Sequence, residues 1–198
     1  MRPLSALGAQ LLAAAALAAA APSEAKVVRS LVDIRNEQVV RQQFDLTCGA
    51  AAIATLLTYQ LGHPVTERQV TLAMLHRTSA ALVRARLGFS FLDLKVYAAS
   101  LGFGAAGYGG MTLDDLDAYA PVITPIRWHG FNHFVVYRGR RGGRVLVADP
   151  SFGNRTLSES AFSSSWAGGL AFVVFDPAQP HAPNRMGAPA ELFLVSGR

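Results

Sequence analysis

The spacing of apolar residues in this chain changes near residue 103, and that change limits the folds available to it. Before this point, apolar residues recur every three to four positions; after it, the period shortens and β-branched residues and glycines become more frequent. Helices followed by strands are typical of α+β folds. We therefore predict an α+β domain in which N-terminal helices pack on a C-terminal antiparallel sheet.

Three helices are predicted before the sheet. The first begins at Thr47 and stops at the Gly-His-Pro sequence of residues 62–64. The second follows the capping-box pattern Thr-Glu-Arg-Gln at residues 66–69, and the third follows Ser90. Upstream, residues 26–41 alternate between apolar and polar side chains, which predicts an extended or hairpin arm leading to the first helix.

Five strands and one short helix are predicted in the second half of the chain. Their apolar runs are short and bounded by Gly, Pro, Asn or Asp, as is typical of strands in an antiparallel sheet. The predicted strands lie near residues 103–108, 122–127, 133–137, 144–148 and 170–175, and the helix covers residues 112–119.

The length of 198 residues suits one domain with a hydrophobic core. Residues 1–25 have the features of a signal peptide: Arg2 near the start, an apolar run too short to cross a bilayer, and small residues before Lys26. We expect cleavage before Lys26 and export, to the periplasm in a cell with two membranes; the alternative is a retained membrane anchor. Residues 26–176 would then form the domain, and residues 177–198, rich in Pro, Ala, Gly and Asn, a flexible tail.

The chain contains one cysteine, Cys48, at the start of the first predicted helix. A single cysteine in an exported protein cannot form an internal disulfide, so its thiol is either reactive or buried and inert. The first N–H groups of a helix have no partners within the helix, and their partial positive charge favours a thiolate. This position indicates a nucleophile.

Two further residues complete a candidate nucleophilic centre. His133 and Asp149 lie in neighbouring strand-like segments, and Gly142-Gly143 between them predicts a hairpin that places those strands side by side. His133 would accept the proton of the Cys48 thiol, and Asp149 would hold the imidazole in the required tautomer. Considered alone, His133 could equally be a core histidine, and Asp149 an ordinary strand end before proline.

The combined pattern resembles the C39 peptidases, papain-like cysteine proteases that process double-glycine leader peptides. In that family a Gln lies six residues before a Cys-Gly pair, and a strand ending in Asp-Pro follows the His by about sixteen residues. Here Gln42 is six residues before Cys48, and Asp149 is sixteen residues after His133. The resemblance covers roughly residues 39–175.

The resemblance implies the fold, the activity and one more site residue. Residues 26–176 would form a papain-like peptidase domain that cleaves exported peptides or proteins after small residues such as Gly-Gly. Gln42 would donate its amide to the oxyanion, together with the backbone N–H of Cys48, with Gln43 as the neighbouring competitor for that role. Many members carry Asp directly before the Cys; this chain has Thr47, a residue suited to N-cap the helix.

Partners follow from the same resemblance. Stand-alone exported relatives accompany secretion systems for functional amyloid, so the expected partners are a peptide or protein substrate and components of a secretion system, or an ABC transporter acting in trans. Two other functions fit the same residues. One is a peptide-binding accessory module without turnover, and the other is acyl or amide transfer by the same triad.

The sequence predicts neither a cofactor nor a metal site. It contains no phosphate-binding loop, no His-Glu-x-x-His and no Cys-x-x-Cys. The net charge is +5, and its densest arginine group, residues 138–144, surrounds Gly142-Gly143 without interleaved aromatic residues. A solvated turn is therefore favoured over a nucleic-acid site, and no nucleic-acid partner is expected.

Overall fold

The computed structural model describes residues 29–187 and 189–194. The predicted signal peptide, residues 1–25, lies outside the described residues, so export stays a prediction. The α-helices are α1 (Leu31–Asn36), α2 (Cys48–Thr55), α3 (Glu67–Leu75), α4 (Ala80–Arg86), α5 (Phe91–Ser100), α6 (Leu113–Tyr119) and α7 (Glu159–Ser165). A π-helical segment, Leu56–Gln60, continues α2, and a 3-10 helix occupies Ala190–Leu194.

The strands form one antiparallel sheet in the order β1-β6-β2-β3-β4-β5. This arrangement, with most helices preceding the strands, confirms the predicted α+β class. The hairpin between β3 and β4 is also confirmed, since Gly142 and Gly143 both have the positive φ that a two-residue turn between antiparallel strands requires. The strands are β1 (Gly104–Tyr108), β2 (Val122–Trp128), β3 (Phe131–Arg141), β4 (Arg144–Asp149), β5 (Gly153–Ser158) and β6 (Ala171–Phe175).

Both faces of the sheet are covered. Alternate residues of a strand point to opposite faces, and β3 shows this directly. Val136 packs in one buried cluster with Ile53 of α2, whereas Val135 packs in a second cluster with Leu116 of α6 and Phe162 of α7. The central strands are therefore held from both sides, which fixes the positions of side chains at their ends.

Small side chains bring α2 close to β3. All eight residues of α2 are buried, and most of them are alanine or glycine. A Cβ atom added to Gly49 would lie 3.2 Å from the ring of Phe134, so the helix and the strand are already in tight contact. This close approach places Cys48, the first residue of α2, beside the adjacent strand residue His133.

The prediction of an extended arm over residues 26–41 is wrong for its central part. Residues 31–36 form α1, because the Ser30 hydroxyl oxygen accepts a hydrogen bond from the backbone N–H of Asp33 at 3.0 Å and caps the helix. Three further elements, α4, β5 and α7, were not predicted.

The described part of the segment that composition predicted to be a flexible tail makes specific contacts. The side chain of Met186 is fully buried, and its carbonyl oxygen accepts a hydrogen bond of 2.7 Å from Nε of Arg138. The Asn184 amide donates to the carbonyl oxygen of Arg138 at 3.1 Å. Arg138 itself is 1% exposed, so it does not belong to the predicted solvated turn; it joins the C-terminal segment to the sheet.

Candidate active site

Cys48 is the first residue of α2 and is mostly buried. The prediction that Thr47 caps this helix is wrong. Thr47 occupies the N-cap position, but its hydroxyl makes no hydrogen bond to the helix and instead lies 2.7 Å from the carbonyl oxygen of Phe44 and close to the carboxylate of Glu67. The helix start is therefore held through the preceding loop.

His133 lies between the thiol and Asp149. Its Nε2 is 2.7 Å from Oδ1 of Asp149, and the side chain of Cys48 is near enough to the ring to raise the pKa of His133. Since Nε2 is engaged by the carboxylate, Nδ1 is the nitrogen that remains for the thiol. The structure thus brings together the three residues that the sequence analysis selected as nucleophile, acid–base and orienting carboxylate.

Asp149 is fully buried and surrounded by donors. Besides His133, its Oδ1 accepts hydrogen bonds from the backbone N–H groups of Ser151 at 2.9 Å and Phe152 at 3.3 Å. Burial alone would raise the pKa of Asp149, but the hydrogen bond and charge of His133, the charge of Arg155 and the Ser151 amide together hold it below its usual value. The carboxylate is therefore ionised at neutral pH.

The contacts of His133 also change the pKa of its imidazole. Burial lowers the pKa of His133, whereas the hydrogen bonds to Asp149 and Cys48 and the charges of both groups raise it, to about 9 in total. An imidazolium is therefore present at neutral pH. It can stabilise a thiolate at Cys48 and later protonate a leaving amine.

Arg155, in β5, completes the surroundings of the carboxylate. Its Nε donates to Oδ2 of Asp149 at 2.9 Å, and its Nη2 lies 2.8 Å from the same oxygen. The guanidinium carbon is 4.6 Å from the ring centroid of Trp128 and 5.4 Å from that of Phe152. Arg155 was not predicted, because strand β5 was not predicted. The sequence feature that could have indicated it as a partner of Asp149 is an arginine six residues after that aspartate.

Gln42 lies in the same cleft as Cys48. Its Nε2 donates to the carbonyl oxygen of Phe44 at 2.7 Å, and its Oε1 accepts from the Ser151 hydroxyl at 3.1 Å. The amide is thus beside the nucleophile. Because an amide nitrogen carries two hydrogens, one N–H can stay bonded to Phe44 while the other is available for a substrate oxygen.

Gln43, the competitor for the oxyanion role, lines a different cavity together with Glu67. Its backbone N–H donates to the Glu67 carboxylate at 3.0 Å. Of the two neighbouring glutamines, Gln42 is therefore the one placed in the cleft; its catalytic role stays a prediction.

The cleft has a volume of about 490 Å³, and its walls are largely apolar. Several of its large side chains are well exposed, Phe131 among them at 58%. A cleft of this kind can hold an extended peptide across the thiol. The apolar side chains that line it are Leu46, Leu87, Trp128, Phe131 and Phe152.

Two further features of the described residues concern metal ligands and membrane-spanning helices. Within residues 29–187 and 189–194, no group of three or more His, Cys, Asp or Glu residues is arranged to hold a metal ion. None of the helices in this part of the chain is long and apolar enough to cross a membrane. The groups of the cleft that can act as nucleophile, acid or base are Cys48 and His133.

Two curated proteins that share one name are similar in sequence to this chain. The probable functional amyloid protease FapD of Pseudomonas aeruginosa is 38% identical over 151 residues, which cover 75% of this chain and 65% of that protein. The protein of the same name from Pseudomonas fluorescens is 36% identical over 169 residues, which cover 84% of this chain and 73% of that protein. The chain therefore spans about two thirds to three quarters of the length of these relatives.

Solved structures show the same similarity. A double glycine motif protease from an AMS/PCAT transporter, crystallised in complex with the leader peptide, has 28% identity and a TM-score of 0.57, covering 70% of this chain and 90% of that chain. The peptidase domain of Streptococcus ComA, a bi-functional ABC transporter, has 25% identity and a TM-score of 0.57, covering 69% and 96%. The model of the Peptidase C39 family matches residues 36–178. The chain therefore belongs to the peptidase C39 family of cysteine peptidases.

Proposed function

We propose that this protein is an exported cysteine endopeptidase in which Cys48 is the nucleophile, His133 the acid and base, and Asp149 the residue that orients the imidazole. The observation that carries this proposal is that Cys48 and His133 line one cleft while the His133 ring is bonded to the buried carboxylate of Asp149 at 2.7 Å. The peptide bond is a poor electrophile, so such an arrangement is needed to activate the sulfur.

The reaction follows from this arrangement. The Cys48 sulfur, as a thiolate beside the His133 imidazolium, attacks the carbonyl carbon of the scissile bond. The charge that develops on the carbonyl oxygen is stabilised by the backbone N–H of Cys48 and by the N–H of the Gln42 amide that is not bonded to Phe44. The imidazolium then protonates the leaving amine, and the remaining thioester is hydrolysed by a water that His133 deprotonates.

The substrate we propose is an unfolded leader or linker with small residues before the scissile bond, such as Gly-Gly. Two observations support it. Bulky side chains line the cleft that contains the thiol, and such walls would disfavour large residues before the scissile bond. A relative of known structure is a double glycine motif protease in complex with the leader peptide. The relatives named functional amyloid proteases support a functional amyloid protein as one such substrate, and we propose that it is exported and that a secretion system is the partner.

Profiling with a mixed peptide library tests the activity and the specificity together. The purified protein should cleave mainly after Gly-Gly or Gly-Ala, and a Cys48→Ala variant should cleave nothing. Cleavage mainly after large apolar or basic residues would contradict the small-residue specificity while leaving the peptidase activity standing. If the unmodified protein cleaves no peptide, the proposed function is wrong.

Export needs its own measurement. N-terminal sequencing of the secreted or periplasmic product should give a chain that begins at Lys26. Recovery of a chain that retains Met1 in the membrane fraction would favour the anchored alternative.

A further inference from the structure

Glu67 is a buried carboxylate that the proposed mechanism does not use. It is the first residue of α3, and only 3% of its surface is exposed. A buried carboxylate requires hydrogen-bond donors, because burying its charge without them is costly. Its donors therefore show which part of the protein it organises.

All three donors recorded for this carboxylate in the described part of the chain come from one short loop. Oε2 accepts from the backbone N–H of Gln43 at 3.0 Å, and Oε1 accepts from that of Phe44 at 3.4 Å. The Thr47 hydroxyl also contacts Oε1. This loop, residues 43–47, connects Gln42 to Cys48, the two residues that would supply the oxyanion donors.

The loop needs an external anchor to keep its shape. Leu46 has a φ of 65°, in the left-handed region that is unfavourable for a leucine side chain. The carbonyl oxygen of Phe44 in turn accepts from Gln42 Nε2, at 2.7 Å, and lies the same distance from the Thr47 hydroxyl. The backbone of Phe44 is thus held by Glu67 through its N–H and contacts the amide of Gln42 through its carbonyl oxygen.

We propose that Glu67 is a positioning residue for the oxyanion donors: by binding residues 43, 44 and 47, it sets the distance and direction of the Gln42 amide relative to the backbone N–H of Cys48. Glu67 does not touch the substrate, and this inference rests on the proposed peptidase function. Removing its acceptors should therefore impair stabilisation of the tetrahedral intermediate and spare the thiol.

Glu67→Gln tests this with little change in size. The substitution replaces one acceptor oxygen by an NH2 group that faces a backbone N–H or the Thr47 hydroxyl. We expect kcat for a Gly-Gly peptide to fall by about tenfold or more. The loss should not exceed that expected for deleting one oxyanion donor, which is roughly a hundredfold or more. The rate of Cys48 alkylation by iodoacetamide should stay within about twofold, since that reaction forms no oxyanion. Glu159→Gln, the same change on α7, is the matched control and should leave both rates unchanged.

A double-mutant cycle separates this role from general destabilisation. If Glu67 acts through Gln42, adding Glu67→Gln to Gln42→Ala should lower kcat by less than about twofold further. Independent, multiplicative losses would overturn the inference, as would an unchanged kcat in Glu67→Gln or a parallel loss of alkylation. Thr47→Val removes one donor to the same carboxylate and should give a smaller loss of kcat that also disappears in the Gln42→Ala background; it serves as the test if Glu67→Gln does not fold. A failure of the proposed function would appear in the unmodified protein as absence of hydrolysis, and would overturn this inference as well.

Discussion

Replacing Arg155 by Met should destabilise the protein far more than the same replacement at an exposed arginine. Arg155 contacts one carboxylate oxygen of Asp149 through two nitrogens, at 2.9 and 2.8 Å, and the two side chains are 7% and 0% exposed. Met has an apolar stem that can keep the packing against Trp128 and Phe152. The substitution therefore removes the cation and leaves the buried carboxylate without it.

The expected cost comes from the loss of one of the two cations that face the buried carboxylate of Asp149, since His133 remains. Breaking a buried ion pair by removing one partner costs about 3–5 kcal/mol of unfolding free energy, and the remaining His133 places Arg155→Met towards the lower end of this range. Arg140 is the matched control, since it also contacts carboxylates, those of Asp114 and Asp117, but Asp114 is 85% exposed. Exposed ion pairs contribute little because water and salt screen them. Arg155→Met should therefore lose several times more unfolding free energy than Arg140→Met.

The pH dependence of the unfolding free energy gives a second test of the loss of Arg155. The pKa of Asp149 is lowered in the folded protein, so its stabilisation is present above the unfolded pKa of about 3.9 and is lost as the pH falls through the folded value. Without Arg155 the pKa of Asp149 rises, and protonation relieves the buried charge at a higher pH. The difference between Arg155→Met and the wild type should thus be largest at neutral pH and shrink towards pH 4.

Urea unfolding of the wild type and both variants, at pH 7 and at pH 5, measures these differences. Equal losses for Arg155→Met and Arg140→Met at pH 7 would refute the argument that the buried ion pair holds Asp149. A loss for Arg155→Met that grows towards acid would refute the assigned direction of the pKa change.

Three further predictions concern the site and the C-terminal segment. Gln42→Ala should lower turnover by on the order of a hundredfold or more and leave alkylation of Cys48 intact, whereas Gln43→Ala should do little; the opposite ranking in steady-state kinetics would place the oxyanion donor at Gln43. The folded-state pKa of His133, about 9, lies above the unfolded value of about 6.5, so its stabilisation is complete below about pH 6.5 and is lost as the pH rises through 9. Unfolding free energies from pH 6 to 10 should therefore decline in the wild type and stay flatter in His133→Ala; equal slopes would contradict the raised pKa. Met186→Ala should cost about 2–5 kcal/mol in a urea titration because this side chain is fully buried, and a loss near zero would show that the segment does not pack on the domain.

The placement of Cys48, His133 and Asp149 together was predictable because each of them stands next to a strong local signal. Cys48 begins an Ala-rich helix, and small residues are what allow that helix to approach β3. His133 and Asp149 lie on strands joined by a Gly-Gly turn, and antiparallel pairing then places the end of one strand beside the start of the other. Local propensity and turn chemistry thus determine the geometry of these three residues.

Arg155 and Glu67, the residues that hold Asp149 and the loop before Cys48, were not predictable in the same way. Strand β5 contains Asn154, Arg155 and Thr156, which are buried although polar, so the segment lacks the apolar alternation of a strand. Their burial depends on partners far away in the sequence, such as the carbonyl oxygen of Glu37, which accepts from the Asn154 amide at 2.7 Å. Glu67 likewise bonds to backbone groups more than twenty residues earlier. Long-range polar contacts of this kind leave no periodic signal.

The packing of the C-terminal segment was not predictable from its sequence either. Its composition predicts a flexible tail, because it has few apolar residues and several Pro and Gly. Its contacts instead use backbone carbonyl groups, a role that any residue type can fill: the carbonyl oxygen of Met186 accepts from the buried guanidinium of Arg138, and that of Pro183 accepts from the Gln60 amide. Among the described residues of the segment, the side chains of Met186 and Leu192 are fully buried and mark where the segment packs.

The most direct test of the account is the reactivity of Cys48 with and without the His133 side chain. Iodoacetamide labelling at pH 7, followed by mass spectrometry, should modify Cys48 quickly in the unmodified protein, because the His133 ring beside the sulfur promotes its reaction as a nucleophile. His133→Ala should slow this labelling by on the order of tenfold or more, whereas His76→Ala, a histidine at the end of α3, should not. Equal rates in the wild type and His133→Ala, or no labelling of Cys48 at neutral pH, would contradict the claim that these two residues form the reactive pair.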